Sequence, residues 1–206
     1  MNKTNSKHVI FTLFVSIILW YLLFVLKPLN FWLEMSLSIS ALVLMSLVFN
    51  KDGFKIGRLT IRHMLIGIFS ALALYIVFYL GNIITGFLFP FKDAQVLSVY
   101  SNRSQGNIIL IGLALLFIIG PGEEIYWRGF IQNTLSKRMG EKKGYIISVL
   151  LYVGVHIITG NVMLVIAALV CGIFWGWLYQ KEKSLLPVII SHAIWDLIIF
   201  VIFPLM

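Results

Sequence analysis

The side chains best suited to chemistry are six ionisable residues that lie inside apolar stretches of the second half of the sequence. They are Glu123, Glu124, Arg128, His156, His192 and Asp196. Inserting a charged side chain at the centre of a bilayer costs about 2.5 to 3.5 kcal/mol on insertion scales, so ionisable residues at this depth mark functional sites by default. Carboxylates and imidazoles are also the usual general acids and bases of enzymes. The set predicts a polar catalytic centre within a membrane.

The first group lies in the sequence GPGEEIYWRGF. Glu124 and Arg128 are four residues apart, which places them on one helical face where an ion pair offsets part of the burial cost. Glu123 is rotated by about 100° from Glu124, so it can face another helix and act as a general base. Pro121 and Gly122 predict a bend just before the carboxylates. The alternative interpretation is a buried ion pair that only fixes helix packing.

The other two groups pair a histidine with a residue one helical turn away. Tyr152 precedes His156 by four residues, and Asp196 follows His192 by four. A carboxylate at this spacing can accept from one ring nitrogen of His192 and fix its tautomer, which leaves the other nitrogen for a substrate or a metal. The alternative is that these histidines only make hydrogen bonds between helices.

Apolar stretches of membrane-spanning length must position these residues. A transmembrane helix needs about 20 mostly apolar residues, and seven stretches meet or approach this length, at 9–26, 31–49, 63–89, 107–136, 144–159, 161–180 and 185–204. With 60% hydrophobic and 12% charged residues, the composition excludes an ordinary soluble domain. We expect an all-α polytopic membrane helical bundle of about seven transmembrane helices. It forms a single membrane domain over 1–206, in which 1–106 carries no readable motif and 107–204 carries the catalytic spans.

The basic residues lie mainly between the spans and set an expected orientation. The net charge of +8 is therefore explained by membrane topology rather than by nucleic-acid binding. Lys and Arg are concentrated in alternate connections, which predicts a cytoplasmic N-terminus and an external C-terminus in the cell membrane. Distances along the helices from the cytoplasmic ends then place the histidines and Glu123 in the middle-to-inner part of the bilayer. No cleavage site follows the first apolar stretch, so we interpret it as an uncleaved span.

In their order and spacing, these residues resemble the signature of the CPBP family, which comprises the CAAX prenyl proteases and bacterial relatives linked to bacteriocin processing and self-immunity. The signature is a Glu-Glu pair followed by an aromatic residue and Arg, then an aromatic residue four before His, then a His four before Asn or Asp. Here Trp127 precedes Arg128, and Tyr152 stands before His156. The resemblance covers about residues 108–204.

The resemblance implies an intramembrane endopeptidase. In the family's pattern the first Glu and the middle His, here Glu123 and His156, activate the water that attacks the peptide carbonyl. His192 and the residue at 196 stabilise the oxyanion, while Glu124 and Arg128 hold the site in shape. Asn is common at the last position and can donate to an oxyanion, whereas an ionised carboxylate cannot. Asp196 is therefore expected to orient His192 or to act in its protonated form.

Three alternatives remain open at the level of the sequence. Two histidines and a carboxylate can form a three-ligand Zn²⁺ site, although no HExxH is present and the family resemblance favours a metal-independent glutamate mechanism without a cofactor. A bacteriocin self-immunity or scaffold protein would keep the fold and act by binding. A proton-coupled transporter would show broken helices in two corresponding halves. The expected partners are a peptide or membrane-protein substrate and the lipid bilayer.

Overall fold

The computed structural model describes residues 6–50, 54 and 56–205. This part of the chain forms helices and contains no β-strand. In chain order the helices are α1 Lys7–Leu26, α2 Phe31–Phe49, α3 Ile61–Leu88, α4 Lys92–Tyr100, α5 Ile108–Met139, α6 Glu141–Thr159, α7 Val162–Glu182 and α8 Leu186–Ile202. A 3₁₀ turn, Ser101–Gln105, follows α4.

Six of these helices are long and apolar enough to cross a membrane, and α8 is a shorter apolar helix. The expected polytopic helical bundle is therefore confirmed. The boundaries agree closely with the sequence: α5 ends at Met139 rather than 136, and α6 begins at Glu141 rather than 144. We conclude that the chain is a multi-pass membrane protein.

Short polar residues and glycines set the ends of the spans. Asn30, Thr60, Asn107 and Asn161 each accept a hydrogen bond from a backbone N–H in the first turn of the helix that follows, as N-caps do. Gly140 (φ +88°) separates α5 from α6, and Gly160 (φ +65°) separates α6 from α7. Both φ values lie in the left-handed region that glycine adopts without steric cost.

Helix α4 was not expected, because its residues were interpreted as a loop between spans. It lies across one end of the bundle, where the Gln95 carbonyl accepts from Asn161 Nδ2 (2.8 Å) and Gln95 Oε1 accepts from the Met163 N–H (3.0 Å). Tyr100 Oη donates to the Ile199 carbonyl and accepts from the Leu205 N–H, both at 3.0 Å. Helix α4 thus ties the ends of α7 and α8 together.

Helix α8 lies at the centre of the bundle and packs against α3, α5 and α7. Small residues lie where the helices approach each other most closely. This is usual in membranes, because helices surrounded by lipid gain no hydrophobic free energy by packing together. A Cβ added to Gly67 of α3 would lie 2.5 Å from Ile190 Cγ2, and one added to Gly120 of α5 would lie 3.0 Å from the Ala193 Cα. The backbones of α5 and α8 are therefore in direct contact beside His192.

Helix α5 changes between α-helical and π-helical geometry near Glu123 and Glu124. Two π-helical segments, Leu115–Ile119 and Ile125–Gln132, flank the α-helical turn Gly120–Glu124. The Gly120 N–H bonds to the Leu115 carbonyl five residues earlier. The change of helix type lies at the position where the sequence predicts a bend, next to Pro121, within one continuous span. Such π-helical turns are frequent at functional sites.

Candidate active site

Glu124 is the central acceptor of a buried polar network. Its Oε1 accepts from Arg128 Nη1 at 2.9 Å and from His192 Nδ1 at 2.7 Å, and the residue has 0% exposure. Arg128 Nη2 also donates to the Cys171 carbonyl at 3.3 Å. The ion pair expected from the sequence is present, and the network extends across α5, α7 and α8.

His192 is enclosed on both edges and on one face. Its Nε2 lies 3.5 Å from Asp196 Oδ2, while its Nδ1 bonds to Glu124. The Trp175 ring stacks on the imidazole at 3.7 Å and 20°, and Trp175 Nε1 donates to Ser191 Oγ at 3.1 Å.

The environment of His192 differs from the expectation that one ring nitrogen faces a substrate or metal. Both nitrogens face carboxylates instead. The cause is the close approach of α5 to α8 at Gly120, which brings Glu124 to the imidazole edge that the sequence left free.

Tyr152 connects the other two predicted residues. Its hydroxyl donates to Glu123 Oε2 at 3.1 Å, and its carbonyl lies 2.7 Å from His156 Nδ1. Because a carbonyl only accepts hydrogen bonds, Nδ1 of His156 must carry the proton, and Nε2 of the neutral ring keeps its lone pair. Glu123 and His156 are buried, with 5% and 7% exposure. This arrangement suits His156 Nε2 to a role as an acceptor in acid–base chemistry.

Aromatic rings surround this pair of residues. Trp127 packs edge-on against Tyr152 (5.0 Å, 76°), and Tyr152 packs against His156 (4.7 Å, 63°). Trp20 of α1 also packs edge-on against His156 (5.7 Å, 79°). The Arg128 guanidinium lies 5.0 Å from the Tyr152 ring centroid. The rings form an apolar wall around Tyr152 and His156.

The sequence did not identify two residues of this region, Trp20 and Trp175. Both are apolar enough to belong to any membrane helix, and no spacing rule connects them to a histidine on another span.

Glu34 was also not singled out in the sequence. It is buried in the first turn of α2 (6% exposure), where the positive end of the helix dipole favours a carboxylate. Its only signal in the sequence is a carboxylate within an apolar stretch.

The donor set for a metal is limited in this arrangement. Among the residues that the structure describes, no three His, Cys, Asp or Glu side chains are grouped so that they could hold a metal ion. His192 Nδ1 is bonded to Glu124, and its Nε2 lies 3.5 Å from Asp196 Oδ2. No three-ligand zinc site of the kind expected as an alternative is formed among the described residues, and the proposed reaction uses side chains and a water molecule.

An apolar cavity of about 240 Å³ lies next to the site, between α3, α4, α7 and α8. Trp195, the neighbour of Asp196, forms part of its wall. Asn82 and Thr85 of α3 are polar side chains on its lining.

Residues 105–198 match the family model described as Rce1-like, "Type II CAAX prenyl endopeptidase Rce1-like". This range contains all six ionisable residues, both π-helical segments of α5 and the whole of α6 and α7. The resemblance to the CAAX proteases inferred from the three motifs is confirmed over this segment.

A second comparison finds a stretch of 99 residues that is 28% identical to NADH-quinone oxidoreductase subunit N of Myxococcus xanthus (strain DK1622). The stretch covers 48% of this chain but only 18% of that protein. The chain thus spans less than a fifth of the length of this curated relative. No solved structure matches the chain.

Proposed function

We propose that this chain, whose residues 105–198 form an Rce1-like domain of the CAAX prenyl endopeptidase type, is an intramembrane endopeptidase that uses a water activated by Glu123 and His156. The observation that carries the proposal is the bridge through Tyr152. Its hydroxyl orients the Glu123 carboxylate, and its carbonyl fixes the His156 tautomer. Two acid–base groups from α5 and α6 are thereby held by one residue.

In the proposed reaction, Glu123 acts as the general base. Its carboxylate takes a proton from water while His156 Nε2 accepts a hydrogen bond from the second water hydrogen. The water oxygen forms a bond to the peptide carbonyl carbon, and the C=O electron pair moves onto the carbonyl oxygen. When that pair returns, the C–N bond breaks and the leaving nitrogen takes the proton from Glu123. The products are a new carboxyl terminus and a new amine.

The remaining ionisable residues position this machinery. One oxygen of Glu124 accepts from Arg128 within α5 and from His192 of α8, and the bond to His192 joins the two helices. Asp196 lies 3.5 Å from the second nitrogen of His192, which supports a role in orienting the imidazole. The proposed substrate is a peptide or membrane protein with a scissile bond that reaches this depth of the bundle.

The experiment compares peptides released from membranes of cells that express the wild type or Glu123→Gln. New termini are labelled chemically and identified by mass spectrometry. Glu141→Gln is the matched control, because Glu141 is an exposed carboxylate paired with Lys183. We expect wild type and control to release a common set of peptides that the Glu123→Gln membranes lack. The same peptides at equal levels in all three samples would refute the proposal.

A further inference from the structure

Helix α1 lies outside the segment that matches the protease family, yet it contributes a side chain to the site. Trp20 has 0% exposure and packs edge-on against His156, with ring centroids 5.7 Å apart. The end of α1 packs against the 3₁₀ turn that follows His156. Trp20 and Tyr152 therefore both pack against the imidazole of His156.

The Trp20 indole N–H has no hydrogen-bond acceptor among the described residues and is buried. An unpaired buried donor is unfavourable, and each such group in a folded protein calls for an explanation. If Trp20 served only to fill space, a phenylalanine or leucine would do so without a donor to satisfy. The N–H is therefore available to a group that enters the site.

The imidazole N–H groups of the two histidines already have acceptors within the protein. His156 Nδ1 donates to the Tyr152 carbonyl, and His192 Nδ1 donates to Glu124. His192 Nε2 faces a carboxylate of Asp196, so an N–H there has an acceptor within the protein. The oxyanion role that the family resemblance gave to His192 thus lacks an uncommitted donor in this arrangement.

Two further indole N–H groups near the site are buried and unpaired within the described part of the chain, those of Trp127 and Trp195. Trp127 packs against Tyr152, and Trp195 packs against Trp175 beside His192. Trp20 instead packs against the imidazole whose Nε2 faces the attacking water in the proposed reaction. Trp20 is therefore the best placed of the three to reach the carbonyl being attacked.

We propose that the indole N–H of Trp20 donates to the carbonyl oxygen of the scissile peptide and stabilises the oxyanion formed when water adds. This proposal rests on the proposed function. As the water oxygen bonds to the carbonyl carbon, the displaced electron pair on the carbonyl oxygen meets a preorganised donor in a buried site. The donor is released when C=O re-forms and the C–N bond breaks. Helix α1 is thereby part of the catalytic unit.

The test replaces Trp20 by 3-benzothienyl-alanine, which keeps the ring shape but exchanges the N–H for sulfur. The purified protein is assayed in lipid nanodiscs with an internally quenched peptide that carries a cleavage sequence released by the wild type. Removing one oxyanion donor lowers kcat by roughly 100-fold or more, so we expect a loss of this size with KM and Tm unchanged. Trp20→Phe is expected to give the same loss.

The matched control is the same replacement at Trp177, which is 47% exposed and lies 5.0 Å from Lys181 Nζ. It is expected to keep the wild-type kcat. A Trp20 replacement with wild-type kcat would overturn the inference, and so would a rise in KM alone. If the wild type and Glu123→Gln cleave the peptide equally, the proposed function itself has failed. The Trp20 inference fails separately when the wild type cleaves, Glu123→Gln does not, and the Trp20 replacement cleaves normally.

Discussion

Tyr152 has two separate roles at the residue scale, since its hydroxyl and its carbonyl hold different partners. The backbone contact survives any substitution that preserves the helix, whereas the hydroxyl contact depends on the side chain. The two contributions can therefore be separated by mutation. The sequence placed Tyr152 and His156 on one face, but it did not show that the tyrosine hydroxyl reaches Glu123 on another helix.

The variant Tyr152→Phe keeps the ring and removes the hydroxyl that orients Glu123. A hydrogen bond to a charged group contributes about 1.5 to 3 kcal/mol, which corresponds to roughly a 10- to 100-fold loss of kcat. The steady-state rate of cleavage of the quenched peptide gives kcat for the wild type and the variant. Tyr145→Phe on the same helix is the control, because it loses a hydroxyl bonded to the Ile173 carbonyl away from the site. Equal kcat values for the two variants would contradict the role given to Tyr152.

The variant Arg128→Met removes the cation paired with Glu124 and leaves a buried, under-compensated carboxylate. Breaking one side of a buried pair costs about 3 to 5 kcal/mol, and we expect a large drop in Tm. Lys183→Gln, at an exposed pair with Glu141, is expected to cost less than about 1 kcal/mol. Adding Glu124→Gln to Arg128→Met should recover part of the Tm. Thermal unfolding, monitored by tryptophan fluorescence, measures the Tm of each variant. Similar Tm values for Arg128→Met and Lys183→Gln would contradict the stabilising role given to the Arg128–Glu124 ion pair.

At the scale of elements, the site depends on how closely α5 approaches α8. In the variant Gly120→Ala, the new Cβ would lie 3.0 Å from both the Ala193 Cα and the Leu115 carbonyl oxygen. These are backbone atoms that cannot rotate away, so the helices must separate, at about 1 to 3 kcal/mol for overpacking. We expect a lower Tm and a loss of cleavage, because Glu124 and His192 move apart.

The control for this variant is Gly86→Ala in α3, where an added Cβ meets nothing within 4 Å. It should leave both Tm and cleavage unchanged. If Gly120→Ala behaves in the same way, the direct contact between the α5 and α8 backbones does not hold the site together.

The sequence predicted the spans well because each is a long apolar stretch bounded by polar or glycine residues. It did not predict α4, since nine residues of mixed polarity carry too little pattern to distinguish a helix from a loop. It also did not predict the π-helical segments of α5, which depend on how Pro121 and the neighbouring helices pack. Periodicity reports which face is apolar, but it does not report how many residues make a turn.

At the scale of the whole molecule, the position of His156 along α6 indicates which end of the bundle the site approaches. His156 is the last residue of the α-helical part of α6, about 22 Å from Glu141 at 1.5 Å per residue. It therefore lies toward the end of the bundle that carries α4. With the proposed cytoplasmic N-terminus, this end of the bundle is the external one, and the depth inferred from the sequence stays a prediction.

The proposed orientation can be tested by cysteine labelling in intact cells. Cys171 is the single cysteine of the chain and is buried, so Cys171→Ala gives a cysteine-free background. In that background Gly160→Cys should react with a membrane-impermeant maleimide, whereas Lys142→Cys should react only after the cells are permeabilised. The opposite pattern would mean that the N-terminus is external.

The most direct test of the central claim follows the oxygen atom of the attacking water. The purified protein in nanodiscs cleaves the quenched peptide in H₂¹⁸O under single-turnover conditions, and mass spectrometry reads the new carboxyl terminus. The account predicts one ¹⁸O in that carboxylate for the wild type and for Glu141→Gln, and no product for Glu123→Gln. A labelled product from Glu123→Gln at the wild-type rate would contradict it.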